Sequence, residues 1–156
     1  MARVSLRSSF AVLLRVCAMV LLAFSGLFSG AAAAADDYLE PGAAFKFSAR
    51  MQDAGTLAIT YEIADGYYMY RERFKFTADG ATLGNPSFPA GKVKFDETFQ
   101  KNVETYRNAI TILVPVAQAG AEFRLVVTSQ GCADAGLCYP PMQSAAAIGL
   151  TGFGGA

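Results

Sequence analysis

Leu57-Ala58-Ile59-Thr60-Tyr61-Glu62-Ile63-Ala64-Asp65-Gly66-Tyr67-Tyr68-Met69-Tyr70 is the stretch whose reading decides the fold. Leu57, Ile59, Tyr61 and Ile63 alternate with small or polar residues. Asp65-Gly66 is a turn signal, and Tyr68 and Tyr70 carry the alternation past it. A period of two marks a strand with one buried face, which makes at least one of Tyr68 and Tyr70 a core residue. The same pattern recurs outward. Phe45 and Phe47 alternate within residues 44–49, Phe74 and Phe76 follow, and Ile110, Ile112, Val114 and Val116 form a further run. Phe123, Leu125 and Val127 form the last. Asp79-Gly80, Gly84-Asn85-Pro86, Pro89-Ala90-Gly91 and Ala119-Gly120 read as turns between them. No segment after residue 35 has a convincing helical period. The expected fold is all-β, an immunoglobulin-like sandwich of antiparallel sheets, with a barrel as the alternative. Immunoglobulin-like here means architecture alone, because tryptophan is absent and the two late cysteines are too close in sequence to bridge two sheets.

The ends of the chain read differently. Arg3 and Arg7 precede an apolar run that, past Arg15, extends from Val16 to Phe28, and small residues fill Ser29 to Ala35. A charged n-region, an h-region and an A-x-A site form a cleavable signal peptide. The expected organisation is a signal peptide at 1–35, one exchange domain at 36–150 and a loose Gly-rich tail at 151–156. Export places the protein in the periplasm, where a disulfide persists.

The composition excludes several functions. The chain of 156 residues carries 13 basic and 13 acidic residues and no histidine. Nucleic acid is not an expected partner, and every nucleophile activated by histidine is ruled out. Cys17 leaves with the signal, so only Cys132 and Cys138 remain, in Gly131-Cys132-Ala133-Asp134-Ala135-Gly136-Leu137-Cys138-Tyr139-Pro140-Pro141. A strand ends near Ser129, and a loop this short can return one sulfur to the other. As a staple it removes little freedom from the unfolded chain. As a redox pair it keeps two thiols adjacent, so that a mixed disulfide is resolved quickly. Spacing alone does not choose between the two. No metal is expected, because two thiolates supply half of a tetrahedral zinc shell, and no cofactor is needed.

Between Lys92 and Arg107 the chain is charged, with Phe95 and Phe99 among polar neighbours. Asp96 to Asn102 reads as a loop. Its Phe99 either plugs the edge of the core, the commoner fate, or lies as a lid over a site.

The cysteine loop closely resembles that of the N-terminal periplasmic domain of the thiol:disulfide interchange protein DsbD. The Asp65-Gly66-Tyr67-Tyr68-Met69-Tyr70-Arg71 block resembles the same domain. More loosely, so does Asp96-Glu97-Thr98-Phe99 with Glu104, Tyr106 and Arg107, which matches its cap loop with one extra residue. The likeness runs from about Phe45 to Ile148. It implies an immunoglobulin-like fold and a protein-disulfide reductase type of activity. Electrons would pass from a membrane-linked thioredoxin-like donor to thioredoxin-fold periplasmic proteins, such as disulfide isomerases and those of cytochrome c maturation. It further implies that Cys138 forms the mixed disulfide and Cys132 resolves it. The cap aromatic maps to Phe99, with Thr98 the alternative in register. Full-length members of that family continue into a membrane domain and a thioredoxin domain. This sequence ends at Ala156, and the resemblance implies a stand-alone relay, a duplicated domain with altered partners, or a domain that has lost redox traffic.

On this reading Tyr68 and Tyr70 flank the site. Asp134, Asp96 and Glu97 place carboxylates near it, which disfavour a thiolate. Asp134 reads equally as a turn residue. The rival function is a non-redox envelope binding module whose disulfide shapes a recognition loop.

Overall fold

The computed structural model describes residues 38–97 and 99–150. The expected signal peptide, the tail and Thr98 lie outside the described residues. A single turn of α-helix, α1 (Pro41–Ala44), leads into β1 (Phe45–Asp53) and β2 (Thr56–Ile63). They are followed by β3 (Tyr67–Tyr70), a 3-10 turn at Arg71–Arg73, β4 (Lys75–Leu83), β5 (Lys92–Asp96) and β6 (Lys101–Tyr106). The chain closes with β7 (Ala109–Ser129), β8 (Gly131–Ala133) and β9 (Met142–Gly149). One sheet runs β1-β2-β7-β4, with β9 also on β7, and the other runs β5-β6-β3-β8. Every pairing between the named strands is antiparallel. The expected immunoglobulin-like sandwich is what forms.

The alternation in β2 does what its period demands. Leu57, Ile59, Tyr61 and Ile63 are buried, and Ile110, Ile112 and Val114 of β7 meet them in the core. Past the Asp65-Gly66 turn the odd-numbered positions stay inward, so the expectation that Tyr68 and Tyr70 carry the core alternation onward is corrected. Gly66 takes φ 80°, open to glycine at no steric cost, and Tyr67 and Met69 become the core residues of β3. Tyr68 and Tyr70 therefore face the other side of the sheet. Tyr70 is buried there, in a second apolar cluster with Val103 and Cys132, against which Tyr68 and Phe99 pack.

Three further expectations need correction. Asp79-Gly80 and Ala119-Gly120 are not turns between strands. They lie within β4 and β7 at an irregularity where the register slips between Asp79↔Arg124 and Ala81↔Ala119. Gly80, at φ 88°, absorbs the kink as glycines do at bulges. The two runs read as separate strands are thus one bent strand, β7. The segment from Asp96 to Asn102 is not all loop either. Asp96 pairs with Lys101 and Phe95 with Asn102, which leaves only a short connection between two strands, with Glu97, Phe99 and Gln100 in turn conformation. Finally, β9 completes the first sheet where no strand was expected.

Two-residue periodicity also explains Gly131. In the β3–β8 ladder Cys132 lies opposite Tyr68 and Gly131 opposite Met69, so the cysteine points outward while the glycine points into the core. A Cβ on Gly131 would sit 2.4 Å from the Phe45 ring and 2.7 Å from the Tyr68 carbonyl oxygen. Neither can give way freely, because Phe45 is itself wedged edge-on against Tyr67 and Tyr139. Gly131→Ala should cost about 1–3 kcal/mol, as overpacking does, seen as a lower urea midpoint. An unchanged midpoint would show that β8 shifts without cost.

Candidate functional site

The site is built on the outer face of the β5-β6-β3-β8 sheet. Register places Lys94 and Asp96 of β5, Val103 and Thr105 of β6, Tyr68 and Tyr70 of β3, and Cys132 of β8 on that face. Cys132 and Cys138 form a disulfide, with Cα atoms 4.1 Å apart. A narrow hairpin brings them together. Tyr139 N–H donates to the Gly131 carbonyl at 3.1 Å, and Ala133 N–H to that of Leu137 at 2.7 Å. Gly136, at φ 104°, turns the tip. The pair is asymmetric: Cys132 is 1% exposed, whereas Cys138 is exposed.

The flanks of the loop are fixed from the core side. Gln130 Nε2 donates to the Tyr139 carbonyl at 3.0 Å. The Tyr139 hydroxyl donates to the Leu39 carbonyl, and desolvation pushes that phenol up to about 12. It therefore stays a neutral donor throughout the pH range in which thiols exchange.

Tyr70 and Asp96 form the floor beneath Cys132. The Tyr70 hydroxyl lies 3.6 Å from Cys132 Sγ and donates to Asp96 Oδ2 at 2.8 Å. Asp96 is buried, and its Oδ1 accepts the Phe99 N–H at 3.1 Å. One carboxylate thus ties Phe99, in the β5–β6 connection, to the floor. Burial, followed by the Tyr68 and Asp96 hydrogen bonds, pushes the Tyr70 phenol far up, so it remains protonated.

The Phe99 ring meets Tyr70 edge-on at 5.4 Å, and the Arg73 guanidinium lies 4.5 Å from its centroid. Arg73 is one of three successive residues of the 3-10 turn that grip the β5–β6 hairpin. Arg71 pairs with Glu104, and Glu72 with Lys101. The Gly91 N–H and Arg71 hold the Glu104 carboxyl below the usual carboxylate range.

The residues singled out in the sequence are brought together unequally. Cys132, Cys138, Tyr68, Tyr70, Asp96 and Phe99 share one face. Glu97 is exposed in the turn, with its carbonyl accepting from Gln100 Nε2 at 2.6 Å. Asp134 is not a bare negative charge beside the thiols. Arg107 grips it with both guanidinium nitrogens, at 2.6 and 2.8 Å, and holds its carboxyl below the ordinary range. Its main-chain N–H also donates to the Gly66 carbonyl at 2.7 Å, as a turn residue would. Sequence reasoning gave no contacts to Arg107, named there only within the cap-region resemblance, or to Arg73 and Lys94. Lys94 Nζ sits 3.7 Å from the Tyr68 centroid, and the β5 alternation would have placed it there had β5 been recognised as a strand. Among the described residues there is no cluster of three or more potential metal-ligating acidic, cysteine or histidine side chains.

Comparison with known proteins agrees with this geometry. A protein of Ralstonia nicotianae named thiol:disulfide interchange protein DsbD is 56% identical over 115 residues, covering 72% of this chain and 19% of that protein. The DsbD of Escherichia coli K12 is 38% identical over 132 residues, 85% of this chain and 22% of that one. The chain thus spans about a fifth of the length of these curated relatives. The crystal structure of the Neisseria meningitidis DsbD N-terminal domain in the reduced form superposes with a TM-score of 0.67 at 39% identity. It covers 74% of this chain and 92% of that one. The same domain in complex with the PilB N-terminal domain gives a TM-score of 0.62 at 37% identity, over 72% and 88% of the two chains. Residues 35–149 match the family described as thiol:disulfide interchange protein DsbD, N-terminal, and the chain belongs to that family.

Proposed function

We propose that this chain is a periplasmic thiol–disulfide exchange carrier, passing electrons from a membrane-linked thioredoxin-like donor to thioredoxin-fold periplasmic proteins through Cys132 and Cys138. The observation that carries this reading is the asymmetry of the pair: Cys138 is an exposed residue, and Cys132, opposite it, is buried against Tyr70. Exchange needs a sulfur that a partner can approach and a second one that need only reach the first. In the reduced carrier the Cys138 thiolate attacks one sulfur of the partner disulfide and expels the other as a thiolate. Cys132 then loses its proton and attacks the Cys138 sulfur of the mixed disulfide, releasing the partner's remaining thiolate. Two electrons and, after protonation, two protons have moved to the partner, and the carrier is oxidised. An upstream dithiol resets it by the same steps in reverse. The DsbD N-terminal domain seen in complex with the PilB N-terminal domain supports the expectation that the partner is a protein domain.

The test is exchange itself. The reduced chain, mixed with an oxidised thioredoxin-fold domain, should lose two thiols as its partner gains two. Quenching with acid and counting alkylated thiols by mass follows both. A pair that stays as it began, whether oxidised or reduced, while the partner is unchanged, would leave the disulfide a structural element and favour the binding module.

A further inference from the structure

We propose that Arg107 is a positioning residue that clamps the cysteine loop and so sets the redox equilibrium of Cys132 and Cys138. The inference rests on the exchange reading above. Arg107 follows β6 directly, 27 positions from Asp134, and its fork reaches the middle of the loop that joins the two cysteines. Among the described residues this is the one ion pair that enters the loop. The guanidinium is itself held: Nη1 also donates to the Tyr67 carbonyl at 3.4 Å, and Cζ lies 5.1 Å from the Tyr68 centroid. Both anchors belong to β3, the strand against which Cys132 is paired. Arg107 therefore fixes Asp134 relative to the strand that carries the site.

Both partners are half exposed, and such pairs add little to global stability. What counts here is the difference between two redox states. With the disulfide closed, the loop is already ordered, and the fork meets a carboxylate in place. With the disulfide open, the same fork must order a loop that has lost its covalent tie. The disulfide thus strengthens the bridge, and linkage requires the bridge to favour the disulfide by the same factor. In the reduced protein the clamp keeps the sulfurs close, which raises their effective concentration. Without it the pair is easier to reduce.

A purely electrostatic role gives a different signature. A cation favours a nearby thiolate and an anion disfavours it, so removing Arg107 and removing the Asp134 charge would act in opposite directions. The clamp requires both to act in the same direction. The experiment equilibrates wild type, Arg107→Gln, Asp134→Asn and the double variant in dithiothreitol redox buffers, and reads the reduced fraction after acid quench and alkylation. Each single variant should shift the equilibrium constant toward the reduced pair by roughly two- to fivefold, and the double variant no further. Arg107→Lys keeps the charge but loses the fork, and should behave like Arg107→Gln. Opposite shifts in the two single variants, no shift, or full retention in Arg107→Lys would overturn the clamp. Urea midpoints of the oxidised variants check that the fold is intact. Because dithiothreitol needs no protein partner, this outcome is separate from whether the wild type exchanges with thioredoxin-fold domains.

Discussion

Cys132→Ala is expected to accumulate as a covalent adduct with a thioredoxin-fold disulfide, while Cys138→Ala remains almost free. The cause is access followed by resolution. In Cys132→Ala the exposed Cys138 still attacks, but nothing displaces the partner from it, so the mixed disulfide persists. In Cys138→Ala the remaining cysteine is Cys132, which in the disulfide-bonded protein is 1% exposed and packed with Tyr70 and Val103. An incoming disulfide needs a line of approach along the sulfur, and the floor of the site denies it. The yield of adduct on a non-reducing gel should differ by on the order of tenfold or more, as expected where access controls the rate. A reversed pattern would exchange the roles of the two cysteines. Equal yields would mean that burial of Cys132 does not survive in the reduced protein.

Much of this was legible in the sequence, and the parts that were not share a cause. Alternation is informative where one face of a strand meets the core, as in β2 and the first half of β7. It fails where a strand leaves the core. On β5, Val93 and Phe95 are both more than half exposed, while the opposite face carries Lys94 and Asp96, so the polar face is the one that packs on the site. A reading that seeks apolar residues inside sees only a charged loop. In β9 the inward positions include Ser144 and Ala146, with Ile148 alone fully buried. Small residues leave no periodic signal there. Glycine misled in β4 and β7 because Gly80 accommodates a kink in a continuing strand as readily as it makes a turn. The cysteine loop needed less help: its five intervening residues can return one sulfur to the other, and the disulfide forms, although spacing left staple and redox pair undecided. What its spacing could not supply was the asymmetry of exposure, which depends on the outward parity of Cys132 in β8 and on Tyr70 and Val103 from two other strands.

Phe99→Ala is expected to speed oxidation of the reduced pair by small or non-cognate disulfides, with little change in fold or midpoint potential. A dithiol in an oxidising compartment loses its electrons to any oxidant that can reach sulfur, so a ring laid against the site protects it by access alone. Phe99 packs against the cluster that contains Cys132, meets Tyr70 edge-on and is backed by Arg73. The substitution removes the ring selectively. The turn itself is held by the Phe99 main-chain N–H on Asp96, which alanine retains, and by the β5–β6 ladder on either side. The closed turn should therefore persist without its shield. A cap carried on a turn can also swing aside for a cognate partner more readily than one carried on a strand. The rate with the cognate domain should thus rise much less than the rate with a small aromatic disulfide, for which the increase should be on the order of tenfold. The measurement is the pair of second-order rate constants in wild type and variant, with urea midpoints as the control for folding. Equal rates in the two proteins, with the fold intact, would show that Phe99 is edge packing for the Tyr70 cluster and shields nothing.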